Sequence, residues 1–170
     1  MPSSNDFSPL RVSVPCSTSN LGPGFDCLGL AFGLRNVFEY SVAEGEESSL
    51  TVEGPEAGSL RANPANPAIV SARGLLEECG IEPPALEVRA TVNAPNARGL
   101  GSSATAVVAG LVAANHWAGE PFAREQLLDR AAGAEGHPDN VTPALFGGLT
   151  VSLLHRPRGA DARVVFRRYD

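Results

Sequence analysis

Apolar and polar residues alternate over Leu10–Val14, the two-residue period of a strand with one buried face. The same alternation returns over Val37–Val42, over the short Leu50–Glu53 and over Leu86–Val92. Leu28–Leu34 is apolar and is expected to pair with Val37–Val42 across a turn at Arg35-Asn36. A different period follows Pro67, where Ile69, Ala72, Leu75 and Leu76 fall on one face of a helix. Asn66-Pro67 supplies its N-cap and first residue, and Gly80 its stop. The run 103–117 is apolar nearly all round, which predicts a helix buried on most faces and ended by Gly119. A further helix from about Phe122 to Ala134 turns Phe122, Leu127, Leu128 and Ala131 inward and Arg124, Glu125 and Arg130 outward. Pro143–Gly148 closes a short helix, and 149–154 with 164–168 form a last pair of strands. Cys16–Gly29, dense in Gly, Pro, Ser and Asn, reads as a loop, with Pro15 ending the first strand or marking an edge. Residues 1–9 are expected to be disordered, and Glu44–Glu47 to be a solvated hairpin tip.

Length and composition narrow the class. The 170 residues, 43% apolar and 19% charged, suit one soluble globular domain with no internal repeat. A net charge of −6 argues against general nucleic-acid binding, yet a local cradle on an acidic protein still binds an anion. All thirteen basic residues are arginine. The Walker A loop and the protein-kinase site both place a lysine at the ATP phosphates, so neither is available. Cys16, Cys27 and Cys79 with His116, His137 and His155 make no zinc spacing, and a sparse odd cysteine count points to a reducing, cytoplasmic setting. The start lacks the basic and apolar regions of a signal peptide, and no apolar run is long enough to span a bilayer.

Three polar stretches carry candidate chemistry. Pro95-Asn-Ala-Arg-Gly-Leu-Gly-Ser-Ser-Ala104 lies between a strand and the buried helix. A helix start offers unpartnered N–H groups with partial positive charge, and Gly99 and Gly101 let backbone approach a bulky anion. Ser102 and Ser103 can cap the helix, contact a phosphate or ligate Mg²⁺. A plain glycine turn with a serine N-cap would look the same. Glu135-Gly-His-Pro-Asp-Asn140 is broken from helix by His137-Pro138. Its carboxylates could hold Mg²⁺; equally, Asp139 could be an N-cap and His137 a surface residue. In the glycine-rich stretch 16–29, Asn20 and Asp26 could serve a ligand or bond their own turn backbone.

Together and in this order, Asn20-Leu-Gly-Pro-Gly-Phe-Asp26, Arg98-Gly-Leu-Gly-Ser-Ser-Ala104 and Glu135-Gly-His-Pro-Asp-Asn140 with Gly147-Gly148 resemble the homoserine kinases of the GHMP kinase superfamily. The resemblance runs from about residue 10 to 155. It implies an α+β fold: a GHMP N-terminal ATP-binding domain of mixed or antiparallel sheets with buried helices over 10–155. Residues 156–170 would begin a ferredoxin-like C-terminal domain that is otherwise largely missing. It implies ATP-dependent phosphorylation of the L-homoserine hydroxyl, in threonine biosynthesis, with ATP and Mg²⁺ and without nucleic acid or membrane; a homodimer is left open. Carried over by residue, Pro95, Asn96, Ala97, Arg98, Gly99, Leu100, Gly101, Ser102, Ser103 and Ala104 would cradle the phosphates, with Asn66 toward adenosine. Ser102, Ser103 and Glu135 would meet Mg²⁺, and Asn20, Asp26, His137 and Asp139 would line the homoserine pocket. Related kinases have an aspartate base where this chain has Asn140; an amide takes no proton at neutral pH, so Asn140 would act by alignment. Ala97 departs from the glycine usual in the family. Gly101→Val is expected to fold and to block ATP. The competing readings are another small-alcohol kinase of the superfamily and a non-catalytic nucleotide-binding module.

Overall fold

The computed structural model describes residues 6–55, 57, 63–94, 98–159 and 161–170. Its frame is a long antiparallel hairpin, β1 (Leu10–Leu21) and β2 (Gly24–Val42), joined at Gly22-Pro23. β2 is long enough to pair twice on its remaining side. Val37–Val42 takes β4 (Leu86–Thr91), and Leu28–Leu30 takes β5 (Leu149–His155), both antiparallel. β3 (Ser49–Glu53) runs parallel to β4, and β6 (Arg163–Tyr169) antiparallel to β5, giving one sheet in the order β3-β4-β2-β5-β6 with β1 added on β2.

Four helices among the described residues pack on this sheet: α1 (Pro67–Glu78), α2 (Ser102–Trp117), α3 (Arg124–Glu135) and α4 (Val141–Phe146). Each begins or ends within about two residues of its expected position, the usual uncertainty of helix ends. Asn66 caps α1 by accepting the Ala68 N–H at 2.9 Å, ahead of Pro67. α2 is the buried helix, with Val107, Val108, Leu111 and Trp117 in the core. α1 crosses it closely at Gly110, where an added Cβ would lie 2.5 Å from the Ala68 carbonyl oxygen. Val12, Val14, Phe38, Tyr40 and Val88 supply the sheet side of this core, and Leu76 and Leu128 the flanking helices. The mixture of sheet and helices is the α+β architecture the motifs imply.

Two expectations are corrected. The loop expected over Cys16–Gly29 is strand except at its two-residue tip, and the turn expected at Arg35-Asn36 does not exist. In both places polar and glycine residues are absorbed by pairing rather than by reversal. The register shifts between Pro15 and Ser17 and between Ser19 and Leu21 are the bulges that accommodate them. Pro15 sits on a strand with a single neighbour, where a missing N–H is tolerated. Among the described residues no helix is long and apolar enough to cross a membrane.

Candidate functional site

β1, the loop after β4, and the α3–α4 junction meet at the start of α2. The N-cap of α2 is Gly101, at φ +62°, and no side chain caps the helix. Neither serine therefore acts as its N-cap, and among the described residues no acceptor meets the amides of Ser102, Ser103 and Ala104. Gly99, at φ +71°, precedes it in the same left-handed region, which glycine enters without steric cost. Arg98 and Gly99 are exposed, and the Leu100 carbonyl accepts the Ser17 N–H at 3.2 Å. Pro95, Asn96 and Ala97 lie outside the described residues.

Gly101 corrects a detail of the cradle. A Cβ there would meet Ser17 Oγ at 2.4 Å, the Ser17 carbonyl at 2.9 Å and Asn140 Oδ1 at 3.0 Å. The missing side chain makes room for the protein's own hairpin and α4, so Gly101→Val would displace both rather than leave the fold intact. At Gly99 an added Cβ would meet nothing within 4 Å among the described residues.

Glu135, the last residue of α3, reaches the first turn of α2, where its Oε1 accepts the Ser103 hydroxyl at 2.7 Å. Ser102 contributes its carbonyl to the Thr105 hydroxyl at 2.7 Å. Ser102 and Ser103 share a cleft of about 190 Å³ with Asn66, floored by Phe38, Leu50 and Val92. A larger groove of about 730 Å³ along β1 and α3 contains none of the candidate residues.

On the other side stands Asn140, with both ends of its amide engaged. Nδ2 donates to Ser19 Oγ at 2.8 Å, and Oδ1 accepts Ser17 Oγ at 3.0 Å. Asp139 is fully buried; its Oδ1 accepts the Asn140 N–H at 2.8 Å and lies 2.5 Å from His137 Nδ1. Its Oδ2 has no partner among the described residues, an unusual condition for a buried carboxylate oxygen. His137 is part-exposed. Asp139 caps no helix, and His137 is tied to it rather than free on the surface.

At the hairpin tip, Asn20 and Asp26 hold φ of +58° and +55°, strained values for residues with a Cβ, which Asn and Asp bear best. Asn20 Oδ1 accepts the Asp26 N–H at 3.0 Å, so Asn20 does bond its own turn. The Asp26 side chain is exposed. Cys16, next to Ser17, is fully buried, and burial pushes its thiol above the ordinary range despite an opposing hydrogen bond from the Asn36 backbone and the charge of Arg35. A neutral buried thiol is no nucleophile. Ser17, Ser19 and Asn36 escaped the sequence reading. The hydroxyls sit in a Ser-Thr-Ser run whose partner is more than 120 residues away, and nothing local signals that contact.

Residues 66–148 match the family model of the GHMP kinases N terminal domain. Homoserine kinase of Synechococcus sp. (strain CC9605) is 51% identical over 143 residues, 83% of this chain and 45% of that protein. Homoserine kinase of Prochlorococcus marinus (strain NATL2A) is 52% identical over 143 residues, with the same two shares, 83% and 45%. The crystal structure of homoserine kinase from Cytophaga hutchinsonii superposes with a TM-score of 0.75 at 30% identity, over 97% of this chain and 53% of that one. Mevalonate kinase of Methanococcus jannaschii shares the fold, with a TM-score of 0.68 at 13% identity, over 96% and 56%. This chain thus spans about half the length of the relatives it matches.

Proposed function

We propose, from the premise that this chain belongs to the GHMP kinases through its N-terminal domain, that it supplies the nucleotide site of an enzyme that transfers phosphate from ATP to the hydroxyl of L-homoserine, a step of threonine biosynthesis. The relatives about half identical to it are homoserine kinases, which supports the substrate. The observation that carries the reading is the uncapped start of α2, faced by Ser103 with Glu135 on one side and by Ser17, Ser19 and Asn140 on the other.

Residues 98–104 would receive the phosphates with backbone N–H groups. Phosphoryl transfer is accelerated mainly by positioning and by stabilising charge on the transferred oxygens, and a helix N-terminus does both without a lysine. The Ser103 hydroxyl and the Glu135 carboxylate are two hard oxygen donors within 2.7 Å of each other, a set that fits Mg²⁺ with phosphate and water completing the shell. Bound there, Mg²⁺ would supply neutralisation of phosphate charge. Asn66, across the small cleft from these serines, would border the nucleoside. The exposed Asp26, and His137 backed by Asp139, suit the ammonium of an amino-acid alcohol. With both ends of its amide occupied, Asn140 would orient the substrate rather than take its proton. Three free thiols support a cytoplasmic setting.

The test is transfer of the γ-phosphate of ATP to L-homoserine, with and without Mg²⁺, against mevalonate as an alcohol lacking the ammonium group. Preferred, Mg²⁺-dependent turnover of homoserine is expected; equal rates on mevalonate, or no nucleotide binding by the folded chain, would sink the reading. Asn140→Ala should lower kcat by less than about 10⁴-fold, since a loss beyond that range would mark a true general base.

A further inference from the structure

Asn36 reads in the sequence as a turn residue, but the fold buries it completely in the middle of β2. A buried primary amide must find partners for its carbonyl oxygen and its NH₂ group. Oδ1 accepts the backbone N–H of Asn93 at 2.9 Å and of Ala94 at 3.3 Å. Nδ2 donates to Thr105 Oγ1 at 3.0 Å, and the Thr105 hydroxyl donates onward to the Ser102 carbonyl at 2.7 Å. Asn93 and Ala94 lead out of β4 toward Arg98, whereas Ser102 and Thr105 are the first turn of α2. One side chain therefore touches both stems of the loop that carries Gly99 and Gly101. It does so where backbone pairing runs out: the β2–β4 ladder ends at Val37 and Thr91, and the next amide, of Val92, turns away to Glu53. Asn93 Nδ2 fastens the same stem to the Arg35 carbonyl at 2.8 Å.

We propose that Asn36 is a positioning residue for nucleotide binding: with Thr105 it sets the spacing and orientation of the two stems and so aims the amides of residues 99–104. The inference rests on the reading of that loop as the phosphate site. Its physics is preorganisation. A loop with two left-handed glycines has many conformations, and an anion site made of N–H groups binds well only when these converge before the ligand arrives. Hydrogen bonds shielded from water hold that arrangement more firmly than exposed ones would.

The test uses the whole chain, free and with Mg·ADP. Thr105→Val keeps the shape and removes both bonds of the Thr105 hydroxyl, the one from Asn36 and the one to the Ser102 carbonyl; Asn36→Leu removes the three contacts of the Asn36 amide. Thr105→Val should weaken Mg·ADP about threefold to tenfold, the equivalent of one hydrogen bond, and Asn36→Leu at least about tenfold. The double variant should lose less than the two single losses combined, because the two residues share one bond. In the ligand-free chain, amide exchange should quicken at residues 99–104 and stay unchanged along β1. Leu128→Ala, in the core of α3, is the control for lost stability alone. If Thr105→Val and Asn36→Leu lower Tm but leave affinity and loop exchange like those of Leu128→Ala, Asn36 is merely structural and the proposal falls. If the parent chain binds no nucleotide, the phosphate-site reading fails instead, while exchange in the free chain still decides whether Asn36 braces the loop.

Discussion

The two ends of α2 are built in opposite ways. At the carboxyl end the Ala114, Asn115 and His116 carbonyls are all taken by protein N–H groups. The Ala118 N–H donates to the Ala114 carbonyl at 2.9 Å, that of Gly119 to His116 at 3.0 Å, and that of Glu120 to Asn115 at 2.7 Å. The buried Asn115 amide takes both backbone groups of Phe122, at 3.0 and 3.1 Å. Trp117 is wedged edge-on against Phe7 and Tyr40, 5.6 and 5.9 Å between ring centres, with its indole N–H on the Ser8 carbonyl at 3.0 Å. At the amino end the cap is a glycine, and the serine hydroxyls point to other tasks. Helix ends expose the same number of unpaired groups; among the described residues the chain closes one end and leaves the amides of the other without partners. Stability belongs to the first end, and the proposed nucleotide binding to the second.

The sharpest break of that contrast is Trp117→Ala. It removes a ring only 5% exposed and should cost about 3–5 kcal/mol, read as a large fall in Tm. Affinity of the remaining folded molecules for Mg·ADP should not change; a parallel loss would mean that the two ends are coupled through the helix.

Gly101→Ala comes next, and it blurs the boundary on purpose. A side chain at φ +62° costs roughly 1–2 kcal/mol, and displacing Ser17 and Asn140 adds to it. Denaturant unfolding should show this loss together with weakened nucleotide binding. If Gly101→Ala kept both, the packing of the hairpin on the loop would have no functional weight.

Ser103→Ala then isolates the open end. The residue is exposed and among the described residues its hydroxyl meets only Glu135, so stability should move by less than about 0.5 kcal/mol. Mg²⁺-dependent nucleotide affinity, titrated at fixed ADP, should fall about tenfold, as for a lost metal-site oxygen. An unchanged Mg²⁺ dependence would remove Ser103 from the metal site.

The same contrast explains what was legible in the sequence. Periodicity reveals α1, α2, α3 and the paired strands because their apolar faces are repeated locally, as in Ile69, Ala72, Leu75 and Leu76. It also exposes the glycine–serine loop, whose residue types are unusual in themselves. It fails on the hairpin, where Asn20, Gly22 and Asn36 have turn chemistry but only the tip turns. Strand pairing there is decided by partners far along the chain, and such tertiary contacts override local preference. For the same reason Ser17 and Asn36 stayed hidden, since each matters through contacts 57 to 123 residues distant.

The smallest effect lies away from either end, where Arg130 of α3 grips Glu78 at the end of α1 through a pair of charge-assisted hydrogen bonds. Its guanidinium also covers the Phe122 ring, 3.8 Å from the centroid, and donates to the Gln126 carbonyl at 2.8 Å. The hydrogen bond from Arg130, helped by its charge, holds the Glu78 carboxyl below its usual range against the opposing effect of burial. A depressed carboxylate stabilises the fold fully above its unfolded pKa and loses that contribution as pH falls through the folded value. Glu78 is nearly half exposed, so water screens the pair and its worth is held to less than about 1 kcal/mol. Glu78→Gln should therefore be slightly less stable than the parent at neutral pH, and the two should converge in acid once the parent carboxyl is protonated. Urea unfolding across that range gives the difference directly. A gap that persisted in acid would show that Glu78 acts through packing, not charge, and Mg·ADP affinity, proposed to be set at the start of α2, should be the same in both chains throughout.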